Sequence, residues 1–304
     1  MSIGDDSILG LGIGIGIGID IGGSSVKIVA PNTNDSTSSS GGPWQVAQSS
    51  HYSNPDRTQL AAAMKDGLSK LNITTPQRIG LCLPGRMNSA KSAIERSTNL
   101  PALNGWAFPD LLRSVFEQPV PKFRVVSDAD AAGYDYATAH PIQGRTAALS
   151  LGTGIGLCVL DNDTIVTMGQ SGIGHIGDMD IGRFGDTDRI NHTGIRNTPE
   201  SYFGAPALSQ YANGSILDLT SLASDDSPIQ ALVQTLRIIH AIYLPNRIAL
   251  LGGVGLAFKP HRQLIHELVN DQLTTLADQS WTLDFATTSH HAAQGAAKLA
   301  NQDF

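Results

Sequence analysis

Cysteine is scarce in this chain: two among 304 residues, Cys82 and Cys158. Both lie inside apolar stretches and read as buried, reduced thiols. No run of lysine and arginine occurs, and the net charge is -7 with a pI near 5.6. That balance speaks against a nucleic-acid surface, which carries a basic field. A membrane-spanning run is also missing. The strongest apolar stretch, ILGLGIGIGIGI at residues 8–19, is too short for a transmembrane helix. It follows Asp5 and Asp6 in place of basic residues and runs into Asp20 without a small-residue cleavage site, so a secretory signal is not expected either. Cytoplasm is the expected compartment. With 41% apolar and 15% charged residues, the chain is too apolar for disorder.

What the chain has in quantity is glycine, 32 residues, much of it clustered where tight turns belong. The isoleucine–glycine alternation has a period of two, which puts Ile13, Ile15, Ile17 and Ile19 on one face of a buried strand ending at Asp20. Further strands are expected at residues 26–30, 78–83 and 124–127, with helices at 58–71 and 128–140. Residues 31–56, rich in Ser, Asn, Gly and Thr, read as a long connection or insertion. A second set follows: strands at 147–151, 156–160 and 248–251, and helices at 199–212, 228–243, 261–277 and 291–301. Two turns repeat one design. Asp20-Ile-Gly-Gly-Ser-Ser and Leu151-Gly-Thr-Gly-Ile-Gly each place glycines between two apolar strands, as a duplicated α/β fold does.

Such turns let backbone N–H groups approach phosphate oxygens with no Cβ in the way. Gly22, Gly23 and Ser24 form one candidate cradle, with Lys27 as a point charge, and Gly152, Thr153 and Gly154 form the other. Asp20 at such a place makes sense if it orders the waters of a magnesium ion. Gly252 and Gly253, after the strand at 248–251, suit either an adenine packed on backbone or a plain strand-to-helix turn. Asp128, at the junction of a strand and a helix, is a candidate general base held by the helix N-terminus. The alternative is an ordinary N-cap, a position that Asp favours. Asp130 is a second carboxylate in the same turn.

The order of motifs resembles the ROK family of sugar kinases and sugar-responsive repressors. The motifs are DIGGSSVK (20–27), LPGRMN (83–88), STNLP (97–101), SDADAAG (127–133), LGTGIG (151–156), GIGH (172–175), PESYFGAPAL (199–208) and LLGGVG (250–255). The resemblance implies an actin-like ATPase fold (ribonuclease H-like): two α/β domains, residues 1–140 and 141–304, with a cleft between them. It also implies transfer of a terminal phosphoryl group from ATP or polyphosphate to a hexose hydroxyl, the glucose 6-OH first among them, with Mg2+. Carried over by position, Asp128 is the base, and Gly85, Asn99, Ser127, His175 and Glu200 line the sugar side. Homodimers are common in the family.

The chain departs from the family pattern in four places. Ser127 replaces the usual Asn before the base, and Gly172 replaces a sugar-binding Glu. Residues 176–199 hold no cysteine, so no structural zinc is expected. The GGSxxK spacing with SDADAAG is closer to polyphosphate-using glucokinases. The loop at 177–197 carries Asp178, Asp180, Asp186, Asp188, Arg183, Arg189 and Arg196 instead, either as ion pairs that hold it in place of zinc or as solvated charge. Two other functions fit the residues less well. A sugar-responsive repressor would carry a helix-turn-helix ahead of the first glycine motif, where only 19 residues precede Asp20. A degenerate protein would bind sugar and nucleotide without turnover.

Overall fold

The computed structural model describes residues 16–32, 44–74, 76–116, 120–168, 173–211 and 219–302. In the first half, β1 (Ile17–Ile21), β2 (Val26–Pro31) and β3 (Trp44–Gln48) run antiparallel. Helix α1 (Arg57–Lys70) leads to β4 (Arg78–Leu83), parallel to β1. A small ribbon of β5 (Arg86–Met87) and β6 (Ile94–Arg96), then α2 (Phe108–Arg113), precede β7 (Lys122–Ser127), which lies parallel to β4. Helix α3 (Asp128–Ala139) follows with no linker.

The second half repeats this plan. Strands β8 (Arg145–Leu151), β9 (Ile155–Asp161) and β10 (Thr164–Ile165) run antiparallel. Helices α4 (Pro199–Phe203), α5 (Ala205–Tyr211) and α6 (Ser227–Tyr243) cross to β11 (Arg247–Leu251), parallel to β8. Next come α7 (Gly252–Ala257), α8 (Arg262–Asn270), β12 (Thr282–Phe285) parallel to β11, and α9 (His291–Ala300). The sheet orders are β3-β2-β1-β4-β7 and β10-β9-β8-β11-β12, one topology used twice. The repeat in the glycine turns is thus a repeat of whole sheets, and the architecture is the actin-like ATPase fold.

The isoleucine–glycine alternation has a two-sided cause. Ile17, Ile19 and Ile21 join Leu60, Met64 and Leu68 of α1 in the first core. On the other face α9 lies directly on the glycines: a Cβ on Gly18 would come 1.8 Å from Ala293 O, and one on Gly80 of β4 would come 1.8 Å from Ala296 O. Two helices are therefore exchanged between the sheets. α9 leaves the second sheet and packs on β1 and β4, while α3 leaves the first and packs on β8 and β9. They cross each other at a seam of alanines and glycines, where Asp135 of α3 is bonded to His291 (2.6 Å) and Lys298 (2.7 Å) of α9. Cys82 and Cys158 are both buried and free.

Several elements differ from the sequence reading. Residues 44–48, inside the stretch read as an insertion, form β3 at the sheet edge. The helix read at 199–212 is two helices as far as Tyr211, and residue 212 lies outside the described residues. Gly204 between them is extended (φ -64°, ψ 153°), and Ala205 N–H donates to Gly152 O at 2.8 Å, docking the break on the second glycine turn. The helix read at 261–277 ends at Asn270, whose Oδ1 accepts from Trp281 Nε1 at 2.8 Å; Leu276 beyond it is 93% exposed and meets no core. Residues 13–15 of the expected first strand lie outside the described residues. None of the described helices is long and apolar enough to cross a membrane.

Candidate functional site

Both glycine turns sit where their strands leave the sheets. In the first, Gly22 N–H donates to Ser25 O at 3.1 Å; in the second, Gly152 N–H donates to Gly154 O at 3.0 Å. Their tips face each other, because a Cβ on Gly23 would lie 3.4 Å from Thr153 Oγ1. Tyr52 braces the first turn: its hydroxyl donates to Gly22 O at 2.6 Å and its N–H to Ser24 O at 2.9 Å, leaving Ser24 exposed at the tip. Lys27 pairs with Asp20 across β1 and β2, and its ammonium donates to Ser289 O at 2.9 Å. The third glycine cluster adjoins the second turn. Gly252 takes φ +80°, where any Cβ would meet Leu151 O at 2.4 Å, and Gly253 has open space beside it.

Two carboxylates lie at the foot of the first turn. Asp20 is 8% exposed, and its Oδ1 accepts from the Cys82 thiol at 3.5 Å. Burial pushes its pKa up, while Lys27 and the thiol pull it back. Asp128 is the first residue of α3, but it does not cap the helix. Ser127 does so, its Oγ accepting from Asp130 N–H at 3.1 Å. Asp128 Oδ1 accepts from the neighbouring Ala129 N–H, at 2.9 Å. Burial first and the charge of Asp20 second push the Asp128 carboxyl up to about 7. Asp130 is raised too, chiefly by burial.

Two neighbouring carboxylates, Asp20 buried and Asp128 half-buried, suit a cation that arrives with a phosphate chain and keeps its waters. No group of three or more His, Cys, Asp or Glu side chains among the described residues is arranged to hold a metal by itself.

The remaining expected residues gather around Gly154. A Cβ there would stand 2.9 Å from Asn99 Nδ2 and 3.0 Å from Glu200 Oε1, so these two side chains share the space that glycine leaves. Asn99 Oδ1 is buried with no partner among the described residues. The turn carrying Asn99 is built by Ser97, whose Oγ accepts from Leu100 N–H at 3.1 Å. Gly85, at φ +114°, lies so close to Arg96 O that a Cβ would stand 2.6 Å from it, and this presses the 84–87 turn onto the start of the Asn99 turn.

Glu200 enters from α4, fixed by its Oε1 accepting from Ile155 N–H at 3.0 Å. Burial raises its pKa, and that N–H, His192 and His175 act the other way. His175 is exposed, at the start of a segment whose Gly177 lies against Glu200 Oε1. Gly172 lies outside the described residues.

Sequence reasoning missed Tyr52, the Cys82 bond to Asp20, and His192, whose Nδ1 lies 4.0 Å from Glu200 Oε2. No motif or periodicity marks these three in the sequence. The loop before Glu200 also differs from the ion-pair expectation. Of its charges, Arg196 and Asp188 pair at 3.1 Å in exposed positions. The half-buried bonds are made by amides: Asn191 Oδ1 accepts from Thr193 N–H (3.0 Å), Thr193 Oγ1 (2.8 Å) and Ile195 N–H (2.9 Å), and Asn197 Oδ1 accepts from Arg189 N–H at 3.2 Å.

Solved structures of the same fold cover nearly the whole chain. A ROK family glucokinase from Streptomyces griseus, solved with glucose and AMPPNP, has a TM-score of 0.67 at 16% identity, covering 95% of this chain and 100% of its own. The inorganic polyphosphate/ATP-glucomannokinase of Arthrobacter sp. strain KM has a TM-score of 0.60 at 17% identity, covering 93% and 97%. A ROK family transcriptional regulator, homologous to the E. coli MLC protein, has a TM-score of 0.67 at 15% identity, covering 94% of this chain and 78% of its own. No curated protein sequence matches the chain. The sequence profile of the ROK family matches residues 16–303, and with the doubled sheet and the facing glycine turns this makes the chain a member of the ROK family.

Proposed function

We propose that the protein is a hexose kinase that moves the terminal phosphoryl group of ATP or polyphosphate to a sugar hydroxyl, the 6-OH of glucose being the first candidate. The observation that carries this reading is the facing of the two glycine turns, Gly23 against Thr153, with the carboxylates of Asp20 and Asp128 close enough to raise one another's charge cost. Phosphoryl transfer asks a protein mainly for positioning and charge stabilisation, and these are the parts such a cleft supplies.

In this mechanism the N–H groups at the tips of both turns hold successive phosphates, those of Gly22 and Gly152 being spent within the turns, with Gly252 and Gly253 against the nucleoside where ATP is the donor. Asn99 and Glu200 bind sugar hydroxyls, the orphaned Asn99 Oδ1 gaining the donor it lacks. His175, exposed and near enough to Glu200 to act on its charge, offers a further contact to the sugar. The Asp128 carboxylate takes the proton of the attacking hydroxyl as its oxygen bonds to phosphorus and the bridging oxygen of the donor departs. Asp20 would hold the waters of a magnesium ion, which would supply charge neutralisation on the phosphate oxygens.

A phosphorylation assay tests the reading. ATP or polyphosphate with Mg2+ is paired with glucose, mannose, fructose, N-acetylglucosamine and N-acetylmannosamine, and Asp128→Asn is the control. Turnover that disappears in the variant supports it. Binding of sugar and nucleotide with no turnover on any pair supports the second reading, a sugar-responsive binding protein, which similarity to the regulator favours.

A further inference from the structure

Glu200 has two carboxylate oxygens in unlike settings. Oε1 is occupied by the Ile155 N–H at 3.0 Å, whereas Oε2 has His192 Nδ1 as its neighbour at 4.0 Å. That span is too long for a hydrogen bond. It does fit one oxygen lying about 2.8 Å from each, accepting from the ring N–H and donating its own proton to the carboxylate. The His192 ring makes no hydrogen bond among the described residues, although its side chain is only 33% exposed and that of Glu200 only 13%. His291 and His261 spend ring nitrogens on bonds within the fold, to Asp135 and to Leu219 O, whereas the solvent-reached His192 ring stays available to a ligand.

The backbone under His192 is fixed on both sides. Asn191 N–H donates to Ile195 O at 2.9 Å, Gly194 N–H donates to Asn191 O at 3.0 Å, and the Asn191 side chain ties down residues 193 and 195. The ribbon is closed below by the Ile190–Arg196 bridge. Such a turn holds one imidazole at a set place above a carboxylate. The geometry points to His192 as a sugar contact, forming with Glu200 a two-point clamp on a single hydroxyl of the acceptor. This rests on the hexose kinase reading and names a specificity-determining residue within it.

The experiment compares wild type, His192→Ala and His192→Gln on the hexose that wild type phosphorylates best, and on its mono-deoxy analogues. The expected result is a rise of about tenfold or more in sugar KM for His192→Ala, the scale of a lost hydrogen bond in a charged pair. Donor KM stays unchanged. On one deoxy analogue the wild type and the variant converge, and that analogue identifies the clamped hydroxyl. His192→Gln, which keeps an N–H donor, falls between the two and serves if the alanine variant misfolds. Sugar KM within twofold of wild type in both variants, or an equal loss on every deoxy analogue, overturns the clamp and leaves the kinase reading intact. Absence of turnover by wild type on any hexose overturns that reading, and the clamp with it.

Discussion

Ser127 relieves Asp128 of the capping role: its hydroxyl, 3.1 Å from the Asp130 N–H, takes the amide that the first carboxylate of a helix commonly takes. The Asp128 carboxylate instead accepts from the Ala129 N–H and feels the charge of Asp20. The two residues therefore fail in different ways. Asp128→Asn is expected to remove phosphoryl transfer, by about a hundredfold or more in kcat, with helix α3 and the fold intact. Ser127→Ala is expected to cost about 1 kcal/mol in a denaturant titration. Its kcat falls less than that of Asp128→Asn. Equal loss of kcat in both would mean that Ser127, and not the carboxylate alone, serves the reaction.

A carboxyl raised to about 7, acting as the proposed base, gives the pH profile a definite shape. Only the ionised carboxylate accepts a proton, so kcat/KM should rise with pH up to about 7 and level above it. The same shift bears on stability with the opposite sense. The folded pKa lies above that of the unfolded chain, so folding holds the proton more tightly, and the stability from this group is lost as pH rises from about 4 to about 7. Asp128→Asn has no such loss. Its melting temperature should therefore gain on wild type across that window and keep a constant lead above it. A constant difference from pH 4 to 8 would show that Asp128 titrates normally.

The site was more legible in the sequence than the packing around it. Glycine pairs after apolar runs disclosed the two turns, although among those glycines Gly154 alone lacks room for a Cβ, and the order of motifs singled out Asn99 and Glu200, which meet there. The role of glycine in β1 was not legible. Gly18 and Gly80 are demanded by α9, which arrives from more than two hundred residues further along the chain, and no local pattern carries that information. Strand β3 was lost for another reason. Trp44–Gln48 is an edge strand with one buried residue, and a polar composition masks such a strand. Tyr52 and His192 act through side chains on loops, and nothing periodic marks them.

Gly154 is a sharp test of the sugar side. Its missing Cβ is the room shared by Asn99 Nδ2, at 2.9 Å, and Glu200 Oε1, at 3.0 Å. Gly154→Ala should push one or both aside by a few tenths of an ångström and weaken the Ile155 N–H bond that orients Glu200. The expected outcome is a sugar KM raised about tenfold, with a melting temperature within a few degrees of wild type. Unchanged sugar KM would mean that neither side chain touches the substrate.

The seam between α3 and α9 offers a prediction about the hinge of the whole molecule. Asp135 and His291 are each 4% exposed in their side chains, and Lys298 closes the other oxygen of Asp135 at 2.7 Å. Asp135 lies seven residues after Asp128 on the same helix, two turns away, so the cluster and the base share one rigid element. Replacing Asp135 with Asn keeps the volume and removes the charge, leaving an imidazole and an ammonium with no acceptor of matching charge in a buried place. Breaking a buried pair on one side costs about 3–5 kcal/mol. His291→Gln, which retains a donor for Asp135 Oδ2, should cost clearly less. Because α9 covers the first sheet and α3 the second, the loss should appear as one cooperative transition in denaturant, since neither sheet keeps its own cover when the helix pair separates. Two separated transitions in Asp135→Asn would show that the sheets fold independently and that the exchanged helices do not bind them into one unit.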